Sequence, residues 1–498
     1  TMGCGAVVEG NKVVGVVVAT PVGRGVVLAK TVIDATGNSD VAAAAGAETY
    51  YTDETEFGMQ GTGLPGRRLG QTYNNTDFTI VDETDMVDVW QMFVFSKHKY
   101  PDAFDHGQLI DTRERRRIVG DTTIRLVDQI LGRTYPDSVV QARSNFDTHG
   151  YTVDPLLLVE HPEHKGFNVY IPYRAMLPKG WEGVLIVGLG TSAHRDAVPL
   201  IRMQPDIQNQ GYAAGVAAAM AVRSNRPLRG IDIKELQRHL VEVGNLPESV
   251  LTDQDSFPLP TEKVAEALRT LPEGQGAAVI MAQPQDALPL LRDAYRTAKD
   301  AARLEYARIL AVLGDASGVE TLVDEIRRQE KWDKGWNYRG MGQFGAALSP
   351  LDGLIIAAAR TGRRDVLPAI QEKVALLDAS VEFSHHRAIA LACEMIGDPA
   401  ASPVLAEVLK KPGMMGHHHD SVAKAIKRGA PGGTNAEQTR RESLRELMLA
   451  RALFRCGDHE GLGRAILENY TRDLRGHLAR HAQAVLDTGT KPGAAVPR

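Results

Sequence analysis

Residues 165–222 read KGFNVYIPYRAMLPKGWEGVLIVGLGTSAHRDAVPLIRMQPDIQNQGYAAGVAAAMAV. The apolar run Val184 to Val187 predicts a strand that enters a Gly-rich turn, Gly188-Leu189-Gly190. A polar loop follows with Ser192, His194, Arg195 and Asp196, and then an alanine-packed helix opened at Gln210 or Gly211. The first N–H groups of a helix have no partner within it, and glycine lets a backbone approach a ligand closely. A strand, a bared turn and a helix N-terminus therefore suit an anionic or electron-rich group. Ala213, Ala214 and Gly215 let that helix pack tightly on a sheet.

The same parts recur near the start of the chain. Ala6 to Glu9, the turn Gly10-Asn11 and Lys12 to Thr20 carry a hairpin signal. A second turn near Gly23-Arg24-Gly25 leads into an extended run, Val26 to Asp34. TVIDATGNSD (Thr31 to Asp40) then reads as a strand ending in Ala-Thr-Gly, with an Ala-rich helix, Val41 to Ala47, behind it. Alone, such a tripeptide is either a tight strand-to-helix turn or a place where the backbone meets a ligand. Residues 81–134 read as helical, with the basic run Arg113 to Arg117 inside TRERRRIVGD, and residues 141–170 as extended and polar. His149, in NFDTHG (Asn145 to Gly150), is either a proton acceptor or a loop histidine bonded to backbone.

From about residue 261 the strand signals vanish and helical periodicity takes over. LAVLGDASGVETLVDEI at 310–326, LACEMIGDPAASPVLAEVL at 391–409 and ARALFRCGDHEGLGRAI at 450–466 each read as helix, Gly-Asp turn, helix. The Gly ends one helix and the Asp caps the next. AAARTGRRDVLPAIQ at 357–371 fits the same plan. The pattern resembles HEAT-type repeats, which stack helix pairs of about 40 residues.

Composition narrows the function classes. With 498 residues, 43% hydrophobic and 24% charged, the chain reads as an ordinary soluble globular protein of more than one domain. A net charge of −5 argues against nucleic acid as a partner. No apolar run approaches the roughly 20 residues of a membrane span. Cys4, Cys393 and Cys456 have no metal spacing, and the adjacent histidines of Gly416 to Asp420 do not make a complete ligand set, so no metal site is expected. The chain opens on Thr1 without a signal-peptide pattern, as would a product of cleavage or one subunit of a pair, and the compartment stays open between cytoplasm and periplasm.

Taken in order, ATGNSD, TRERRRIVGD, NFDTHG, IPYRAMLPKG, VLIVGLGTSAHRDA and IRMQPDIQNQGYAAG resemble the two-dinucleotide-fold FAD-dependent oxidoreductases often labelled "xanthan lyase-related". The resemblance covers residues 1–225. It implies FAD, bound at Ala35, Thr36, Gly37 and Asp40, at Gly188, Gly190 and Ser192, and at Arg202, Met203, Gln210, Gly211 and Ala214. It implies that His149 or His194 handles a proton and that Arg195 or Arg116 orients the substrate, with residues 58–80 and the 145–155 loop lining the pocket. Two departures stand out. The family's Gly-Arg is Gly188-Leu189-Gly190 here, and its Thr-His-Glu is Ala193-His194-Arg195, which puts a cation where an acid is usual.

The opening strand, GxGxxG turn and helix of such flavoproteins are not in this sequence. The expectation is an α/β (or α+β) flavoprotein half-domain lacking its N-terminal Rossmann unit, over residues 1–230. A linker at 231–260 and an all-α HEAT-like repeat domain at 261–490 follow. A second polypeptide carrying the GxGxxG unit would complete the fold. The activity implied is hydride transfer from a hydroxyl- or amine-bearing carbon of a small or sugar-like substrate to the flavin. A helical-repeat scaffold with a relic flavin fold, and a non-redox flavin-dependent lyase, are the alternatives.

Overall fold

The computed structural model describes residues 2–55, 102, 115–148, 150–162, 166–337, 346–421, 423–424 and 437–490. The chain divides into two compact units. One comprises Thr1–Tyr51, Arg115–Asp147 and Pro162–Lys263; the other comprises Thr52–Glu114, Thr148–His161 and Val264–Arg498.

In the first unit, β1 (Met2–Glu9), β2 (Lys12–Thr20) and β3 (Gly23–Leu28) form an antiparallel meander. The first turn is Gly10-Asn11, since Glu9 faces Lys12 across it. The second is Pro21-Val22 rather than Gly23-Arg24-Gly25, because Thr20 faces Gly23 and the glycines belong to β3. The run from Val26 to Asp34 is broken, and a separate β4 (Val32–Asp34) pairs in parallel with β9 (Val184–Ile186). Between them come α1 (Asp40–Ala45), β5 (Thr49–Tyr50), β6 (Arg117–Ile118), α2 (Leu126–Ile130), β7 (Ser138–Asn145) and β8 (Gly166–Pro172). The long α3 (Gln204–Ser224) and α4 (Ile233–Glu242) follow. Val13, Val32, Val41, Ala42, Ile118, Val184 and Ile186 are buried together and join meander, α1 and parallel pair in one core.

Part of the helix expected over residues 81–134 is extended. Arg117 and Ile118 pair with Tyr50 and Thr49, placing the apolar Ile118 in the core. Local charge pattern lost there to a buried strand contact, the usual way tertiary packing overrides propensity. The proposed connector at 231–260 contains α4, whose Gln237 donates to the carbonyls of Pro136 and Ser138 at 3.1 and 2.9 Å.

The second unit takes in α5 (Thr261–Thr270) from Val264 on, then α6 (Ala277–Ala282), α7 (Pro284–Thr297), α8 (Asp300–Val312), α9 (Val319–Arg328), α10 (Pro350–Arg360) and α11 (Leu367–Val374). It continues with α12 (Phe383–Ile396), α13 (Ser402–Lys410), α14 (Glu437–Arg455), α15 (Leu462–Tyr470) and α16 (Gly476–Thr488). Each Gly-Asp pair read from the sequence sits between helices. Gly314, Gly397 and Gly457 all have positive φ. The aspartate beside each caps the next stretch: Asp315 accepts from Ser317 N, Asp398 from Ala400 N and Asp458 from Gly463 N.

A charged cluster lies inside this helical unit. Arg451 grips Glu394 with two bonds of 2.6 and 2.8 Å, and Arg455 adds a third at 3.2 Å. His481 is fully buried; its Nε2 faces Arg451 Nη1 at 3.3 Å and its Nδ1 faces the Asp53 carbonyl at 2.5 Å. A guanidinium only donates, so Nε2 accepts and Nδ1 carries the proton. Burial and the neighbouring Arg451 hold the His481 pKa well below its usual value.

The sign follows. A base whose folded pKa is depressed binds fewer protons folded than unfolded, so its contribution to stability is present above the ordinary histidine value of about 6.5 and is lost as pH falls. Replacing His481 with Gln is expected to lessen the fall in melting temperature between about pH 7 and about pH 5. Thermal unfolding of parent and variant across that range checks it; parallel curves would contradict the assignment.

Candidate functional site

The β4–β9 pairing brings the two turns together. Val32, Ile33 and Asp34 face Val184, Leu185 and Ile186, and Val187 N donates to the Asp34 carbonyl at 3.1 Å. The Ala35-Thr36-Gly37 turn and the Gly188-Leu189-Gly190 turn therefore leave the carboxyl ends of neighbouring parallel strands. Ligands of open α/β sheets bind at this edge.

Asp34, at the end of β4, is 1% exposed. Its Oδ1 accepts from Thr36 N at 3.1 Å and from Thr36 Oγ1 at 2.7 Å; its Oδ2 accepts from Val41 N at 2.9 Å and Ala42 N at 3.1 Å. Thr36 Oγ1 in turn accepts from Asp40 N at 3.0 Å, and Ser39 O accepts from Ala43 N at 2.9 Å. The amides that open α1 are thus satisfied by the protein itself. The expectation that this helix offers its N-terminus to a phosphate is corrected: an internal carboxylate occupies that place. Ala35 and Thr36 remain exposed, and Gly37 takes a left-handed φ of 74° at the crest of the turn.

Ser39 joins this turn to the other. Its Oγ lies 3.2 Å from both the Arg116 and the Gly190 carbonyls. A Cβ built on Gly190 would overlap the Ser39 Oγ and lie 3.0 Å from Ile186 Cγ2, so the glycine is a packing requirement. Arg116 serves the same joint. Its backbone N donates to Asn38 Oδ1 at 2.9 Å, its Nε to the Asn38 carbonyl at 3.0 Å and its Nη2 to Asp40 Oδ1 at 2.7 Å. The sequence reading offered Arg195 or Arg116 for the substrate; Nε and Nη2 of Arg116 bond the turn, with Asp40 as counter-ion.

Ser192, fully buried, accepts from Gly120 N at 3.0 Å and lies 2.9 Å from Thr123 Oγ1, which ties its loop to residues 120–123. Gln210, also buried, works as a staple. Its Oε1 accepts from Gly188 N at 2.9 Å and Thr191 Oγ1 at 3.1 Å, while its Nε2 donates to the Ile201 carbonyl at 2.9 Å. Both support the turn from behind.

The helix after the turn starts earlier than expected. α3 opens at Gln204, so Gln210 and Gly211 are interior to it. Pro205 sits in its first turn, where a missing N–H costs nothing. Met203 at the N-cap gives no side-chain cap, and Ile207, one turn in, lies against Gly188. Asp206 holds this end to β7, accepting from Ser144 Oγ at 2.6 Å and Arg143 N at 3.3 Å. Arg202 donates to the Asp147 carbonyl at 2.6 Å. Ala214 is buried on the packed side of the helix.

Of the expected catalytic residues, His194 is half-buried and Arg195 is buried. His194 Nδ1 accepts from Asp196 N at 3.3 Å and so caps the short 3-10 stretch Arg195–Leu200. His149 lies outside the described residues, as do Thr1, Arg113 and residues 58–80. Among the described residues no group of three histidines, cysteines or acids is placed to hold a metal ion. In the Gly416 to Asp420 run, Glu446 instead accepts from the backbone N–H groups of Gly416 and His417 at 2.7 Å each.

Asp34, Ser39 and Asn38 carry the turn and were not singled out from sequence. An acid at a strand end two residues before a Thr and six before a helix was a legible signal, because such an acid can cap across the turn.

Ala35 and Thr36 are exposed at the end of β4, and the 21-residue α3, opening without a side-chain cap, sets Ile207 against Gly188 at the end of β9; a helix N-terminus of this kind favours negative charge. The comparisons agree in class. The model of the family described as FAD dependent oxidoreductase matches residues 1–106 and 89–240. The match supports a flavin oxidoreductase in general, and that family implies FAD as the cofactor. No curated protein and no solved structure matches the chain.

The Ser39–Gly190 contact gives a sharp test. Gly190→Ala is expected to destabilise the first unit by about 1–3 kcal/mol, the usual range for overpacking. Ser39 has φ 51°, which glycine adopts without strain, so Ser39→Gly placed in the same chain is expected to recover part of that loss. Chemical denaturation of the two single variants and the double variant checks it; strictly additive losses would contradict the contact.

Proposed function

We propose that residues 1–230 form the C-terminal half of the catalytic domain of an FAD-dependent oxidoreductase, followed by a HEAT-like helical repeat domain. The observation that carries this reading is the parallel pairing of β4 with β9. It places two Gly-containing turns, 151 residues apart at Ser39 and Gly190, against each other at one sheet edge. The substrate class is a small or sugar-like molecule with a hydroxyl- or amine-bearing carbon, and the chemistry is hydride transfer.

When bound, FAD supplies a two-electron acceptor for that hydride. The residues that would hold it are Ala35, Thr36 and Gly37 on one turn and Gly188 and Gly190 on the other, with the positive end of α3 beside Gly188. Asp34, Asn38, Arg116, Ser192 and Gln210 act one layer back. They fix both turns before any ligand arrives, so less ordering is left to occur on binding. His194 Nδ1 accepts from Asp196 N, which fixes the orientation of the ring within the loop. From this loop His194 stabilises charge on a substrate oxygen. Arg195 contributes positive charge to the same loop.

A second polypeptide carrying the GxGxxG strand, turn and helix completes the site in this proposal. Two observations support it. β4 and β9 pair only with each other among the described residues, and the α1 amides are already taken by Asp34, so the pyrophosphate needs another cradle.

The test is the composition and colour of the native particle. A second chain together with the visible absorbance of oxidised flavin is expected, and anaerobic bleaching by an oxidisable substrate would separate hydride transfer from elimination. A native particle that is colourless, takes up no added FAD and contains this chain alone would overturn the reading. His194→Gln, which retains an N–H donor, is expected to keep more turnover than His194→Leu, with losses of roughly a hundred- to a thousandfold for Leu; steady-state kinetics of both variants check it.

A further inference from the structure

The helical unit includes two stretches that are not part of the helical repeats, residues 52–55 and 150–161, and both lie within the region that matches the oxidoreductase family. Main-chain carbonyls in both stretches end on cationic or imidazole side chains from the helices. His481 on α16 meets the Asp53 carbonyl at 2.5 Å, Arg455 on α14 donates to the Glu54 carbonyl at 2.6 Å, and Arg451, one turn away, donates to the Thr55 carbonyl at 3.2 Å. Three consecutive carbonyls are thus read by three side chains of two helices. In the other stretch, Arg387 on α12 donates to the Thr152 carbonyl at 2.7 Å with its guanidinium 4.6 Å from the Tyr151 ring centre, and Arg308 on α8 donates to the Val159 carbonyl at 3.3 Å.

These bonds are specific to main chain. A carbonyl packed against helices and turned from water must find a donor or lose free energy. A guanidinium supplies several donors and a fixed charge, and Glu394 balances Arg451 and Arg455 without taking the donors aimed at residues 54 and 55. The imidazole of His481 is kept neutral by burial and by Arg451, which preserves its Nδ1–H for Asp53.

We propose that the helical unit is an internal clamp, in which Arg387, Arg451, Arg455 and His481 are positioning residues that hold the main chain at 53–55 and 150–161. Its effect on catalysis rests on the reading of the 145–155 loop as part of the substrate side. The holding itself does not depend on flavin, so the two ideas fail separately.

The test uses the full chain. Arg455→Met leaves Glu394 paired with Arg451, and Arg387→Met keeps much of the volume over Tyr151. Amide hydrogen exchange is expected to rise about five- to tenfold in peptides covering residues 52–55 for Arg455→Met and 150–161 for Arg387→Met, the scale of one lost hydrogen bond, with the helices as protected as before. Cleavage by a glutamyl endopeptidase after Glu54 and Glu160 should accelerate in step. Arg387→Lys retains a cation over Tyr151 and a donor toward Thr152, and is expected to restore protection that Met does not. Unchanged exchange in both stretches would overturn the proposal. So would a rise spread evenly over α12 and α14, or failure of Arg387→Lys to restore protection, because the arginines would then be general core supports. FAD content is measured beside it on the native particle that carries the parent chain: its absence with a localised exchange rise would sink the flavin reading alone.

Discussion

The strand-end surface depends on the carboxylate of Asp34. A buried carboxylate is stable only when its lone pairs are filled, and Asp34 receives two bonds from Thr36 and two from the opening amides of α1. Those four bonds bend the chain out of β4, set the crest at Gly37 and aim α1 back along the core through Val41 and Ala42. They also deliver Ser39 in a left-handed conformation to the point where its hydroxyl meets the Arg116 and Gly190 carbonyls. One acid at a strand end thereby fixes a turn, a helix and, through one hydroxyl, a second turn far away in sequence.

This arrangement separates holding from presenting. Asn38, Arg116, Ser192 and Gln210 are polar residues near the turns, and residue type alone makes each a candidate ligand contact. Their hydrogen bonds go to protein. What is left facing outward at the strand ends is small: Ala35 and Thr36, beside the glycines. A site built this way gains its shape from backbone and its rigidity from a concealed polar layer, so the outer residues need little chemistry of their own.

Much of this was legible in the sequence where the signal was local. The two strand–turn–helix stretches, the Gly10-Asn11 hairpin and the Gly-Asp helix joints all rest on residues within a few positions of each other. The start of α3 was legible as well. Pro205 in Met-Gln-Pro-Asp marks a first helical turn better than Gly211 does, since proline fits only where no intrahelical N–H is needed. What could not be read was partnership across distance. Asn38 binds Arg116, 78 positions on, and Ser39 binds Gly190, 151 positions on. Nothing in the basic run around Arg116 says that one guanidinium will be taken by an asparagine carbonyl and an aspartate, and the strand at Arg117–Ile118 exists because Thr49 and Tyr50 lie beside it.

The helical unit raises the same question of where polar groups point. Stacked helix pairs usually present surface to a partner, and arginines on such a surface suggest an acidic or extended ligand. Here Arg308, Arg387, Arg451 and Arg455 already hold carbonyls of this same chain. An outside peptide seeking those donors would have to displace residues 53–55 or 152–159 first. It would also expose Glu394 and its two arginines, whose burial is tolerable only while the pairing is intact; breaking such a buried pair costs about 3–5 kcal/mol. A partner that binds the helices therefore has to use another face, and the arginine row belongs to the chain that carries it.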